Sequence, residues 1–251
     1  MTTVAIAGST GLVVRLPPHA PLLSLPYHAP LSNPPLQGSH ILSTLLAHPS
    51  IPSVYAYARR APPNPTASPK LLHIPSAPTD DWPAQFPKDP CPKIFFSGLG
   101  TTRGDAGSVE AQRKIDVDVN FSLAQAAKEA GTECYVLISS GGANAASMLA
   151  YPKMKGELEE KVKALGFKHT VILRPGLIQG ARDESRPAEA VARSLAGWMS
   201  KISPRLTDFW VNDAGVIARA AVVAGLKCVD GQRGAGVWEI GQGDIEKLGQ
   251  E

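Results

Sequence analysis

Short apolar runs alternate with longer amphipathic ones along most of the chain, a pattern that predicts repeated βα units wound around a parallel sheet. The apolar runs predict strands from Thr3 to Ala7, Ser53 to Ala58, Lys70 to Ile74, Lys93 to Ser97, Cys134 to Ser139 and Thr170 to Leu173. Helices fit between and after them. A short one runs from about Ser39 to Ala47 and stops before Pro49, and a long one from Val109 to Ala130 stops at Gly131, a natural C-cap. A third, from Tyr151 to Leu165, places Glu157, Glu159 and Glu160 ahead of Lys161 and Lys163 and stops at Gly166. Pro187 opens another that runs to about Met199, since proline lacks only an N–H that would be unpaired in a first turn. Asn212 to Gly225 and Asp244 to Leu248 complete the set. The fold class expected is α/β, a doubly wound parallel sheet forming one domain over residues 1–251.

Proline breaks this pattern in two places. Seven of the 23 prolines lie between Val14 and Gln37, and ten lie between Pro62 and Pro92. Segment 14–37 has Arg15 as its one Lys, Arg, Asp or Glu and carries two near-repeats, Pro-His-Ala-Pro-Leu (18–22) and Tyr-His-Ala-Pro-Leu (27–31). Such a composition builds neither helix nor strand, so the domain is expected to be interrupted by an irregular insert.

Composition narrows the function. No apolar run approaches the roughly 18 to 20 residues of a membrane span. The net charge of +3 comes from 25 basic and 22 acidic residues with no block of like charge, which gives no support to a nucleic-acid binder and favours a small-molecule substrate. Cys91, Cys134 and Cys228 are far apart and in no metal-ligand spacing, which argues against a disulfide framework or a zinc site and for a reducing compartment. The opening MTTVAIAG reads as a buried strand, not as a presequence.

The first strand delivers Gly8-Ser9-Thr10-Gly11-Leu12-Val13. Closely spaced glycines between a strand and a helix N-terminus let backbone N–H groups and the helix dipole meet a pyrophosphate. The third glycine of such a fingerprint is absent at position 14, and the next suitable one is Gly38, directly before Ser39-His40-Ile41-Leu42. Removing 14–37 in thought restores Gly8-x-x-Gly11-x-x-Gly38. A plain strand-to-loop turn would also account for these glycines. The second strand ends in Arg59-Arg60, where dinucleotide folds place an acidic residue for NAD or arginine for the 2'-phosphate of NADP; two arginines favour NADP(H) over a merely solvated strand end.

Tyr151 and Lys155 stand one helical turn apart on a single face. A tyrosine of ordinary pKa, about 10, is a poor acid-base catalyst near neutrality, and a nearby ammonium favours its phenolate. Such a pair can pass a proton to or from an alcohol or carbonyl. Ser139-Ser140 ends the preceding strand at the edge where ligands bind, so Ser140, or Ser139, can hold the substrate oxygen; a helix cap or turn is the bland alternative, since Gly141 and Gly142 follow. Leu99-Gly100-Thr101-Thr102-Arg103-Gly104 follows the fourth strand as a loop passing over a cofactor or as a plain turn, and Arg174-Pro175-Gly176-Leu177-Ile178 follows the sixth, where backbone meets a nicotinamide. Arg186 is placed to reach a phosphate, although an arginine before a helix is more often solvated.

These residues resemble an atypical short-chain dehydrogenase/reductase. The motifs are similar to those of the fungal family of peripheral mitochondrial outer-membrane proteins, and through it to the animal Tat-interacting protein family. The resemblance rests on Gly-Leu-Gly-Thr-Thr-Arg-Gly (98–104), Ile-Ser-Ser-Gly-Gly-Ala-Asn (138–144), Tyr-Pro-Lys-Met-Lys-Gly-Glu (151–157), Ile-Leu-Arg-Pro-Gly-Leu-Ile (172–178) and Glu-Ser-Arg-Pro-Ala-Glu (184–189), and covers nearly the whole chain outside 14–37. It implies an NADP-binding Rossmann fold, with Tyr151 as proton donor or acceptor and Lys155 as its partner. It implies cofactor contacts at Thr10, Gly11, Leu12, Val13, Arg59, Arg60, Leu99, Tyr151, Lys155, Ile178 and Arg186. The mitochondrial outer-membrane address and a peripheral membrane association also come from the resemblance alone.

The chain departs from that family between Gly11 and Gly38, where two residues suffice and 24 more, 14–37, intervene. The segment reads as an unspliced intron: Val14-Arg15 can be encoded GTGCGT, a donor site, and Gln37 CAG, an acceptor. A lineage-specific loop is the competing reading. Two function classes follow, an NADP-dependent oxidoreductase using Tyr151, Lys155 and Ser140, and a dinucleotide-binding scaffold whose catalytic residues are inherited and unused.

Overall fold

The computed structural model describes residues 2–9, 37–62, 64, 66–75, 79–179 and 211–251. Strand β1 (Val4–Ala7) lies between β2 (Val54–Ala58) and β4 (Ile94–Ser97), parallel to both. With β3 (Leu71–Pro75), β5 (Cys134–Ile138), β6 (His169–Arg174) and β9 (Gly236–Gly241) it builds a seven-stranded, all-parallel sheet of order β3-β2-β1-β4-β5-β6-β9. Strand order reverses between β1 and β4, and the crevice at their carboxyl ends is where such sheets bind ligands. A separate parallel pair joins β7 (Leu177–Gln179) to β8 (Val211–Asp213).

Because successive strand residues face opposite sides, β1 splits its four buried residues between two cores. Val4 and Ile6 join Ile94, Phe96 and Val136 under helices α1 (Gln37–Ala47), α6 (Ala214–Val229) and α7 (Gln242–Leu248). Ala5 and Ala7 join Phe95, Tyr135 and Leu137 on the other face, covered by α4 (Asn120–Ala130) and α5 (Ala150–Ala164). The sheet is thus doubly wound, as the alternating runs predict. Each fully buried large side chain, such as Phe95 or Leu123, contributes about 1.5 to 3 kcal/mol.

The long helix expected over 109–130 forms in three pieces. Short α2 (Arg103–Ala106) precedes α3 (Val109–Arg113), which starts with the Ser108 hydroxyl accepting from the Ala111 N–H at 3.0 Å. A π-helical turn over Lys114–Val119 then leads into α4, which ends at left-handed Gly131. The wider turn buries Asp116 together with Val117 and Val119.

Several expectations need correction. The tail helix begins at Ala214, because residues 211–213 are strand, and it runs on to Val229 since Ala224, Gly225 and Cys228 still face the core. Strand β9 was not foreseen: of its six residues only Ile240 is buried, so it shows no apolar run. Helix α1 opens at Gln37, inside the segment read as an insert. The rest of that insert up to residue 36, and the helix expected over 187–199, lie outside the described residues.

Candidate functional site

At the carboxyl end of β1, Gly8 has φ +89°, and a Cβ there would come within 2.6 Å of the Gly98 carbonyl carbon and oxygen at the end of β4. The Gly98 N–H donates to the Ala7 carbonyl at 3.0 Å. Glycine is therefore required at position 8 by conformation and by space, and the floor of the switch-point crevice is bare backbone. Gly38 is the second residue of α1, the helix that follows β1 in the chain. Arg59 and Arg60 are exposed just beyond β2, the strand beside β1, and neither has an ion-pair or hydrogen-bond partner among the described residues. Leu99 is 7% exposed and packs in the core, so a ligand reaches only its backbone. Ile178 lies in β7, in register with Asn212 of β8. Thr10, Gly11, Leu12, Val13 and Arg186 lie outside the described residues.

Tyr151 and Lys155 sit in the first turns of α5, whose chain enters through the loop after β5. That loop is fixed against the helix. The Asn144 N–H donates to the Pro152 carbonyl at 3.0 Å, and Gly156 is crossed so closely that a Cβ would stand 2.1 Å from the Ala145 nitrogen. Tyr151 is 44% exposed, Lys155 only 5%. The Lys155 Nζ lies 6.0 Å from the centroid of the Tyr151 ring and faces the loop after β4, 3.7 Å from where a Cβ on Gly100 would be. The structure thus brings the predicted pair together at the carboxyl edge of the sheet.

The two serines separate. The Ser139 N–H donates to the Leu173 carbonyl at 2.8 Å and the Gly141 N–H to the Pro175 carbonyl at 2.7 Å, so the backbone around Ser140 is tied to the end of β6. The Ser139 hydroxyl donates to the Glu159 carboxylate, which is buried and also held by Arg174 (Nε 3.1 Å, Nη2 2.5 Å). Arg174 in turn reaches Glu239 of β9 at 2.7 Å. Ser139 is therefore structural. Ser140 is half-buried, and its hydroxyl has no hydrogen-bond partner among the described residues.

One residue at the site escaped the sequence. Asp116, 1% exposed on the π-helical turn, accepts from the Thr101 N–H at 2.6 Å through Oδ1, while its Oδ2 has no hydrogen-bond partner among the described residues. Gln112 braces the same loop through the Thr101 carbonyl at 2.9 Å. Burial pushes the Asp116 carboxyl up, against the pull of the Lys155 ammonium, the Thr101 amide and Gln112. A carboxylate in a long helix carries no mark of facing inward, since the π turn that rotates it has no compositional signal.

No family model matches the chain. It is 47% identical over 256 aligned residues to "Protein fmp52-1, mitochondrial" of Aspergillus terreus, with all of both chains covered. It is 49% identical over 255 residues to "Protein fmp52, mitochondrial" of Aspergillus fumigatus, covering 99% of each. A relative so named from Emericella nidulans is 50% identical over 220 residues, 85% of this chain and 94% of its own. Among solved structures, the Bordetella bronchiseptica enzyme WbmH, described in complex with NAD+, superposes with TM-score 0.61 at 18% identity, over 99% of this chain and 79% of that one. The oxidoreductase ylbE from Lactococcus lactis gives 0.60 at 14%, over 99% and 95%. At these identities the likeness is one of fold.

Proposed function

The chain belongs to the Fmp52 family, whose members are named mitochondrial, and on that premise we propose that it is an NADP-dependent oxidoreductase of the short-chain dehydrogenase/reductase type, acting on a carbonyl or alcohol. The observation that carries this reading is the placement of Tyr151 and Lys155 on one face of α5, beside the Gly100 loop at the carboxyl edge of the sheet.

The residues present fit a dinucleotide. The bare Gly8–Gly98 crossing lets a pyrophosphate approach backbone, and Gly38 adds the N-terminus of α1. The exposed guanidinium groups of Arg59 and Arg60 suit a 2'-phosphate. Leu99 offers its backbone, and the Lys155 ammonium, without a hydrogen-bond partner among the described residues, suits a ribose. Bound NADP(H) supplies or accepts the hydride. Tyr151 gives or takes the proton at the substrate oxygen, the Lys155 ammonium stabilises the charge that develops on the phenolic oxygen, and the Ser140 hydroxyl hydrogen-bonds the substrate oxygen.

The test is NADPH consumption by the purified protein across aldehydes, ketones and quinones. Turnover lost in Tyr151→Phe supports the enzyme. Tight NADPH binding with no turnover on any substrate supports the scaffold reading instead.

The proposed address is the mitochondrial outer membrane, as a peripheral protein. The relatives' names support the organelle, and no helix among the described residues is long and apolar enough to cross a membrane. Release from isolated mitochondria by alkaline carbonate, together with sensitivity to added protease, is the result this address requires.

A further inference from the structure

Lys155 is a buried cation without an ion-pair or hydrogen-bond partner among the described residues, and removing a charge from water without a partner is costly. The loop after β4 links it to a carboxylate. Gly100 faces the Lys155 Nζ, and the next residue, Thr101, donates its N–H to Asp116 at 2.6 Å. Gln112 holds the carbonyl of that same Thr101, so loop and carboxylate are fixed as a unit. The second carboxylate oxygen, Oδ2, is buried with no hydrogen-bond partner among the described residues, so the carboxylate keeps a free acceptor.

Other charges nearby are occupied or exposed. From α5, Glu157 is taken by Arg113 at 2.5 Å; on the π turn itself, Lys114 pairs with Asp80 at 2.7 Å and Asp118 is exposed. Arg103 and Asp105 of α2 are also exposed. Burial raises the Asp116 carboxyl, and the Lys155 ammonium pulls it back down.

We propose that Asp116 is a positioning residue: anchored to the Thr101 amide, its carboxylate is the buried countercharge that holds the Lys155 ammonium at the Gly100–Thr101 loop, ready for a cofactor ribose. The part concerning the ribose rests on the dinucleotide reading above. The electrostatic part does not.

Two measurements separate them. The first needs no nucleotide: the Asp116 carboxyl is titrated by carbon-13 NMR in the wild type, in Lys155→Met and in Lys155→Arg. The midpoint moves up in Lys155→Met and stays near the wild-type value in Lys155→Arg; an unmoved midpoint in Lys155→Met overturns the proposal. The second is a double-mutant cycle on NADPH affinity. Asp116→Asn weakens binding roughly 3- to 10-fold when Lys155 is present and leaves it unchanged alongside Lys155→Met. An equal loss in both backgrounds would mark Asp116 as merely structural and overturn the proposal. If the midpoint moves but the wild type binds no NADPH, the countercharge stands and the dinucleotide reading fails.

Discussion

The Ser139 hydroxyl donates to the buried Glu159 carboxylate, one helical turn beyond Lys155 on α5. Tyr151, Lys155 and Glu159 form one stripe along the helix. Its far end is clamped by Ser139, just beyond β5, and by the Arg174 guanidinium from β6, so the bond fixes the rotation of the helix that presents the proposed proton donor. It also removes Ser139 from the substrate and leaves Ser140.

Substitutions should divide accordingly. Arg174→Ala leaves Glu159 buried without its cation and should cost about 3 to 5 kcal/mol, and Ser139→Ala, which loses a bond to a charged group, about 1.5 to 3. Ser140→Ala should stay within about 0.5 kcal/mol of the wild type and lose turnover instead. Urea unfolding of the three variants checks this; a Ser140→Ala protein as unstable as Ser139→Ala would reverse the assignment.

Tyr151→Phe should abolish reductase turnover while NADPH affinity stays within a few-fold, since the phenol acts on the substrate's oxygen. Its exposed position makes the change nearly neutral for stability. Lys155→Ala should damage both turnover and binding. Full activity in Tyr151→Phe, measured on whichever carbonyl proves to be a substrate, would move the chemistry elsewhere.

Asp116 should make the unliganded protein less stable as pH rises. Burial raises its folded-state pKa above the unfolded value, so its contribution is favourable below the unfolded pKa, about 3.9, and is lost as pH climbs through the folded one. Asp116→Asn, which keeps an acceptor for the Thr101 N–H, should therefore lose this pH dependence, so that its stability relative to the wild type improves as pH rises from about 4 to 7, whatever the cost of leaving Lys155 without its countercharge. Thermal melts of both proteins across that range give the comparison, and a difference between them that does not change with pH contradicts it.

Much of this was legible in the sequence, and the misses share physical causes. Strands β1, β2, β4, β5 and β6 are buried on both faces, so they read as continuous apolar runs with ends right to within a residue. Strand β9 is an edge in which Val237 is exposed and Glu239 faces Arg174 and Lys163, so its pattern resembles a loop. The Tyr151–Lys155 pair could be read because helical spacing is local. The Glu159 clamp could not, because its partners arrive from the ends of two other strands. Leu99 enters through the family resemblance and its place in a glycine-bearing loop, and neither says anything of a side chain turned into the core.

Deleting residues 14–37 should improve NADPH binding without being needed for folding. Lengthening a connection ninefold costs roughly 2 kcal/mol, which a domain of this size absorbs. Geometry is the stronger effect, since Gly11 and the start of α1 must be fixed relative to each other to cradle a pyrophosphate. Equal affinity in the full-length and deleted proteins, with a transcript that retains codons 14–37 as its main form, would make the segment a tolerated loop.

Fluorescence titration with NADPH and NADH, on the wild type and on the Arg59→Ala/Arg60→Ala double variant, tests the central claim most directly. The wild type should prefer NADPH. The double variant should lose roughly 10- to 100-fold or more in NADPH affinity, the worth of a charge-assisted pair, and barely change toward NADH. Equal losses for the two nucleotides, or no binding of either by the wild type, would contradict an NADP site at the β1–β4 switch point.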